Sequence, residues 1–283
     1  MRSSVMGYDC AGEWGIPAGG AMHLDVVDLK SFYYRTPLGR NVQRTLQERL
    51  TSFWPNVKGE TAVGFGFAAP FLRPFLSKAH RVLSLMPAEQ GVMPWPPAAP
   101  NLSALVEETH WPLQAASVDR LLVAHGLETC ERPAALLEEI WRVLAPEGRV
   151  IFIVPNRTGA WARRDVTPFG YGRPYSFGQL EAQLKTHRFQ PEQHGAALYA
   201  PPSTRKYMLR TAPTVEAIGQ RLHSQRFAGA LILEAQKRIY IKPKGLAATS
   251  RPRLRVLEGL AQPVGQPAGG RTGRKTLRDR HDP

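Results

Sequence analysis

Three short groups of residues have types and spacings that could do chemistry. Gly64 and Gly66 interrupt an apolar run, and glycines allow a ligand to approach bare backbone. Glu107 and Glu108 place two carboxylates side by side, where they could accept hydrogen bonds from an exocyclic amine. His125 follows another apolar run, and a neutral imidazole can take up a proton near pH 7. His125 is therefore the candidate general base.

Each group also has a purely structural explanation. Two glycines can ease a turn, two glutamates can form an exposed acidic turn, and a histidine can be an ordinary core residue. Residue types alone leave both explanations open. The elements that carry these residues must decide whether they meet in one place.

Short apolar strands alternate with helix signals along most of the chain. This alternation predicts an α/β fold with a doubly wound, Rossmann-like and mostly parallel sheet. Ligands in such sheets lie outside the carboxyl ends of the strands, and each group above follows a strand. The predicted strands are Val63–Gly66, Val82–Leu85, Leu102–Val106, Arg120–Val123 and Val150–Val154.

Helix signals are clearest near the start of the chain. Asp25–Tyr34 is predicted to be helical, and Thr36 with Pro37 begins a second helix as N-cap and first helical residue. Its apolar stripe either packs on the sheet or covers the ligand site as a lid. The remaining predicted helices are Phe71–Leu76, the one that begins at Pro133, Phe177–Thr186 and Thr214–Leu222.

Composition limits the class of protein. The 283 residues are 43% hydrophobic, which suffices for one large core. Cys10 and Cys130 are the only cysteines, so we expect neither a disulfide framework nor a cysteine zinc site, and we place the protein in the cytoplasm. No run approaches the roughly 20 apolar residues of a membrane span, so no membrane partner is expected.

The two ends of the chain differ from the middle. Residues 1–21 are rich in glycine and small residues and are expected to form a disordered extension, with Met22 as the hypothetical translation start. Residues 22–242 form the predicted domain. Pro243–Pro283 carries nine of the Lys and Arg residues against three acidic ones, within a formal net charge of +14. It is expected to be a disordered basic tail that gives RNA a possible contact through charge.

The segment Lys58–Phe189 resembles the class I S-adenosylmethionine-dependent methyltransferases, especially the methyltransferase type 11 group. Three motifs match in order and spacing. Trp111-Pro112-Leu113 and Ser117-Val118-Asp119 precede the fourth strand, and Arg142–Gly148 reads Arg-Val-Leu-Ala-Pro-Glu-Gly before the fifth. The resemblance implies a methyltransferase fold, and Ala228–Ile241, predicted to be one long strand or a hairpin, matches its antiparallel last strand.

The resemblance also implies a cofactor, S-adenosylmethionine, with S-adenosylhomocysteine as the product. It assigns Gly64, Phe65 and Gly66 to the loop that binds the methionine moiety, and places Met86 where the ribose lies. Glu107 or Glu108, with Thr109, would border the adenine, and His125 would face the sulfonium. No metal is implied.

The cofactor loop departs from the family pattern. Val63 stands near the usual acid position, Phe65 and Phe67 are bulky, and Ala68 replaces the third glycine. Met86 replaces the acid that would bind the ribose hydroxyls, and Glu89 and Gln90 are at best nearby substitutes. We therefore expect weak cofactor binding, with a Kd of roughly tens to hundreds of micromolar.

Methyl transfer to an unidentified acceptor, with a small molecule favoured, is the predicted function. One alternative is a non-catalytic binding or regulatory protein that keeps the fold without the cofactor. A second is an RNA-modifying or RNA-binding protein that uses the basic tail. Neither the acceptor nor the oligomeric state can be read from the sequence.

Overall fold

The computed structural model describes residues 24–164, 166–221 and 226–238. All of the described residues belong to one compact unit. The predictions for residues 1–21, Met22 and Pro243–Pro283 lie outside the described residues.

One seven-stranded sheet forms the centre of the domain. Its strands are β1 (Thr61–Gly66), β2 (Arg81–Pro87), β3 (Ser103–Val106), β4 (Val118–Ala124), β5 (Leu144–Pro155), β6 (Phe189–Ala197) and β7 (Ala230–Lys237). The order across the sheet is β3-β2-β1-β4-β5-β7-β6. The first five strands run parallel, and β7 pairs antiparallel with both β5 and β6. This confirms the predicted doubly wound fold with an antiparallel last strand.

The helices lie in layers on both faces of the sheet. They are α1 (Val26–Arg35), α2 (Pro37–Phe53), α3 (Ala69–Leu72), α4 (Pro133–Val143), α5 (Phe177–Thr186) and α6 (Lys206–Arg221). One core packs under α1, α2 and α3, and a second packs under α4 and α5. No helix of the described residues is long and apolar enough to cross a membrane.

Local signals explain where the first two helices begin. Asp25 caps α1 by accepting from the amide of Val27 at 2.8 Å. Thr36 caps α2 by accepting from the amide of Gly39 at 2.9 Å, and Pro37 follows as the first helical residue. The second helix packs on the sheet with Leu46 and Leu50 fully buried.

A buried carboxylate joins α2 to the sheet. Glu234 lies on β7 opposite Ile151 of β5 and is fully buried. It accepts hydrogen bonds from Trp54 Nε1 at 2.9 Å and from Arg149 Nη1 at 3.1 Å. Both oxygens are therefore paired, as a buried charge requires.

Several predicted elements differ from the structure. The predicted helix Phe71–Leu76 is instead α3 followed by a 3₁₀ turn, Arg73–Phe75, because Pro74 cannot continue an α-helix. Helix α6 begins at Lys206, earlier than the predicted Thr214. Strand β6 was not predicted from the sequence, and the β2–β3 connection contains no helix.

Candidate functional site

The carboxyl ends of β1, β2 and β4 meet at one edge of the sheet. We call this region the cofactor crevice and define it by Gly66–Phe67, Met86–Pro87 and Ala124–His125. The three strands are neighbours in the order β2-β1-β4, with Gly66 in register with Ala124. The crevice thus brings the glycine loop, Met86 and His125 together, as the fold rule for parallel sheets requires.

His125 is held between two partners that are themselves buried. Its Nδ1 lies 3.1 Å from Glu128 Oε1, and its Nε2 lies 2.6 Å from the hydroxyl oxygen of Tyr33 on α1. The exposed fractions of Tyr33, His125 and Glu128 are 0%, 2% and 1%. Because an ionised carboxylate can only accept, Nδ1 carries the proton and Nε2 accepts from the Tyr33 hydroxyl.

This arrangement has the geometry of an oriented base. The carboxylate fixes the tautomer and the orientation of the imidazole, so that the lone pair of Nε2 points at a hydroxyl group. His125 also has a φ of 50°, a left-handed conformation that is strained for a residue with a side chain. Burial, followed by the negative charge of Glu128, raises the pKa of Tyr33 well above its usual value.

Aromatic side chains fill the space around this cluster. The ring of Tyr33 stacks on Phe67 with centroids 5.7 Å apart and meets the edge of Phe71 at 5.4 Å. Phe169, from the segment after β5, packs on His125 at 4.9 Å. All these side chains are buried. In the described conformation, which we call the closed form, protein atoms therefore occupy the crevice.

The two glycines of the predicted loop serve internal packing. A Cβ at Gly66 would lie 2.3 Å from the carbonyl oxygen of Ala124, and the φ of Gly66 is 76°. A Cβ at Gly64 would lie 2.6 Å from Leu72 Cδ1, where α3 packs against β1. Both positions thus require glycine even without a ligand. A role in cofactor binding stays a prediction.

Phe65 points to the opposite face of the sheet. Its ring is fully buried and stacks on Trp111 with centroids 4.7 Å apart. Only its backbone can face a ligand. Met86 is also fully buried, and its sulfur lies 3.5 Å from the amide nitrogen of Met93.

The acidic turn after β3 is divided between two environments. Glu107 is exposed, whereas Glu108 is buried and its Oε2 lies 3.3 Å from Cys130 Sγ. Thr109 Oγ1 lies 3.4 Å from Arg132 Nη2. Glu108 therefore ties this turn to the segment that follows β4, which leaves Glu107 as the exposed carboxylate near the predicted adenine position.

Two buried oxygen atoms near His125 lack hydrogen-bond partners among the described residues. They are Gln90 Oε1 and Glu128 Oε2. Gln90 is anchored through its Nε2, which donates to the carbonyl of His125 at 3.1 Å, while its own carbonyl accepts from Val26 at the start of α1. Both free atoms are acceptors, so they fit a ligand that presents hydroxyl or ammonium donors.

S-adenosylmethionine presents such donors, namely ribose hydroxyls and an amino group. The polar atoms of the crevice thus fit this cofactor, with Gln90 near the end of β2 where Met86 cannot bond a ribose. The volume does not fit in the closed form, because Tyr33 and Phe67 fill it. We therefore expect cofactor binding to displace Tyr33 from His125.

Sequence reasoning located His125 but missed its two partners. Glu128 stands three residues after His125, and this His-x-x-Glu spacing was available as a signal. Tyr33 lies 92 positions away, and nothing local connects it to the crevice. Within the described residues, no group of three or more His, Cys, Asp or Glu side chains could hold a metal ion.

Comparisons with known proteins agree with the fold. Residues 63–152 match a family model described as a methyltransferase domain, the methyltransferase type 11 model. A methyltransferase structure from Archaeoglobus fulgidus, described as S-adenosylmethionine dependent, is similar at a TM-score of 0.51 and 14% identity, covering 69% of this chain and 94% of that one. No curated protein matches.

A second similar structure is the Haloferax volcanii complex between the Trm112 methyltransferase activator and a candidate methyltransferase. It has a TM-score of 0.51 and 15% identity, with 75% of this chain and 97% of that chain covered. At these identities the structures show the fold alone. Together with the family model over residues 63–152, they support the class I methyltransferase fold, and a methyltransferase domain of this kind uses S-adenosylmethionine as its cofactor.

Proposed function

We propose that the protein transfers the methyl group of S-adenosylmethionine to a hydroxyl group of a small-molecule acceptor. The observation that supports this acceptor chemistry is the buried Tyr33–His125–Glu128 cluster. Nε2 of His125 already accepts a hydrogen bond from a phenolic hydroxyl at 2.6 Å. An acceptor hydroxyl that replaced Tyr33 would meet a base that is already oriented.

Each residue of the cluster has a separate role in this proposal. Glu128 holds the Nδ1 proton and keeps Nε2 unprotonated, so that His125 can receive the acceptor proton during transfer. When bound, the cofactor supplies an activated methyl group on its sulfonium. Gln90 Oε1 would accept a hydrogen bond from a ribose hydroxyl, and the buried aromatic side chains would exclude water.

The first experiment is calorimetric titration of S-adenosylmethionine and S-adenosylhomocysteine into the full chain. Binding at roughly tens to hundreds of micromolar is expected. Gln90→Leu should weaken binding about five- to tenfold, because it removes one hydrogen-bond acceptor from a buried site. Gln193→Leu is the matched control, since Gln193 is exposed on β6 at the far edge of the sheet.

The second experiment tests the base. Transfer of a labelled methyl group to a panel of phenols and alcohols should detect turnover by the wild type. His125→Gln should retain cofactor binding and lower turnover by about 10²–10⁴-fold. Equal turnover by the wild type and His125→Gln would show that His125 is not the general base.

A non-catalytic protein of the same fold is the second candidate function. The filled crevice is the observation that favours it, because closed-form packing needs no cofactor. The two candidates differ at the first experiment. If neither compound produces heat or a thermal shift at millimolar concentration, the methyltransferase proposal is withdrawn in favour of this one.

The remaining assignments rest on the sequence. RNA contact through Pro243–Pro283 is a third candidate that depends on charge, and a salt-dependent gel shift with unstructured RNA tests it. The cytoplasm remains the expected compartment on cysteine usage.

A further inference from the structure

A cavity of about 110 Å³ lies between α1, the start of α2 and the segment that follows β5. Its walls are mainly apolar, including Leu24 and Phe32 on the α1 side, Leu38 of α2 and Pro168 opposite them. None of the residues that define the cofactor crevice lines it. The cavity is therefore a second site, which adjoins the crevice where Phe32 is followed by Tyr33 and Pro168 by Phe169.

One of the residues that line the cavity has a buried polar atom without a hydrogen-bond partner among the described residues. Thr167 is 3% exposed, and its Oγ1 has no hydrogen bond among the described residues. A buried hydroxyl is destabilising unless a bound molecule satisfies it. Asp28, a second polar lining residue, is exposed and forms no ion pair with any described residue. Both side chains can accept a hydrogen bond.

Size and lining together define the chemical class of the ligand. Apolar cavities of about 150 Å³ hold a benzene molecule, so this cavity has room for about one ring. The apolar walls suit a hydrocarbon body, and the two acceptors suit a donor head group. We propose that the cavity binds a small, ring-sized apolar molecule that carries one hydroxyl or amino group.

Such a ligand would also act on the cofactor crevice. Phe32 forms a wall of the cavity, and the next residue, Tyr33, closes the crevice through His125. A molecule packed against Phe32 stabilises α1 in its docked position and therefore the closed form. Because linkage is reciprocal, it opposes any ligand that must displace Tyr33. This coupling, unlike the binding itself, rests on the proposed function.

Binding is tested on the full chain without cofactor, using benzyl alcohol and benzylamine as probes in calorimetry or NMR titrations. Both should bind the wild type. Thr167→Val keeps the shape and should weaken binding about fivefold by removing the hydroxyl. Leu38→Trp should fill the cavity and abolish binding. Thr214→Val, at an exposed position on α6, is the matched control and should bind like the wild type.

Several results would overturn the site. The site is overturned if the wild type binds neither probe at concentrations up to 10 mM. A Kd of 10 mM corresponds to a binding free energy of about −2.7 kcal/mol. Unchanged affinity in Thr167→Val would also overturn the site, and this variant keeps the test decisive if Leu38→Trp fails to fold. Asp28→Asn should weaken benzylamine more than benzyl alcohol if Asp28 receives the head group.

The coupling has its own measurement. Saturating benzyl alcohol should lower the affinity for S-adenosylhomocysteine several-fold. Unchanged affinity would refute the coupling while the probe titrations still support the site. If S-adenosylhomocysteine does not bind at all, the proposed function fails, and the probe titrations decide the cavity independently.

Discussion

Replacing Tyr33 with Phe should increase the affinity for the cofactor. The substitution keeps the ring that stacks on Phe67 but removes the hydroxyl that bonds His125 Nε2 at 2.6 Å. The closed form then loses a hydrogen bond and leaves a buried nitrogen without a partner. An open form, in which residue 33 has left the crevice, is not destabilised by the substitution. Water forms hydrogen bonds there with His125 Nε2 and, in the wild type, with the Tyr33 hydroxyl.

The magnitude follows from that difference. Loss of a buried hydrogen bond with one partner left unsatisfied costs about 1–2 kcal/mol. The apparent affinity is proportional to the fraction of molecules in the open form, because only that form binds. If that fraction is small, destabilising the closed form by this amount raises it about 5- to 30-fold. The Kd for S-adenosylhomocysteine should fall by the same factor. The same substitution should lower the melting temperature by about 2–8 °C.

Tyr34→Phe is the matched control. Tyr34 is the next residue on α1, is half-buried, and its hydroxyl has no hydrogen bond to a described residue. Calorimetry on the three proteins measures the change in Kd directly. An unchanged or weaker affinity in Tyr33→Phe would refute the idea that Tyr33 competes with the cofactor, and would place its hydroxyl among the ligand's contacts.

Glu234→Ala should lower the free energy of unfolding in urea by about 3–5 kcal/mol, because it leaves the Trp54 and Arg149 donors unpaired beside a buried void; a loss below about 1 kcal/mol would contradict this. Gly66→Ala should destabilise the fold even without ligand, since its Cβ would meet the Ala124 carbonyl at 2.3 Å, and a wild-type urea midpoint would contradict that. Burial and, next in size, the charge of Glu108 raise the pKa of Cys130 to about 12. In a Cys10→Ser variant, where Cys130 is the remaining thiol, the folded protein should therefore resist alkylation by iodoacetamide at pH 8. Since this pKa is raised on folding, its contribution to stability is complete below pH 9 and is lost as the pH rises towards 12.

The sequence was most informative where a pattern is local. Apolar runs predicted the five parallel strands, of which β1, β4 and β5 are the most deeply buried, whereas Ala104 and Leu105 of β3 are exposed. Thr36 with Pro37 marked the start of α2. Strand β6 was missed because it is an edge strand with Pro191 and a register irregularity, so it lacks a clean apolar alternation.

The candidate site was only partly predictable. Strand ends placed Met86, Glu108 and His125 near one edge of the sheet, but not the direction of their side chains. Glu108 turns to Cys130, and Phe65 packs on the opposite face. Tyr33 reaches His125 only through the docking of α1, a tertiary contact that no local spacing encodes.

Glu234 also has a consequence for how the strands find their partners. Along β7 its neighbours Leu231, Leu233 and Ala235 face the second core, under α4 and α5, whereas Glu234 faces α2. A slip of one residue in the pairing with β5 would exchange the two faces and move the carboxylate in among leucines, away from Trp54 and Arg149. Such a mispaired sheet would bury an unpartnered charge, at a cost of several kcal/mol. One acidic residue thus selects the correct alignment of the antiparallel edge during folding.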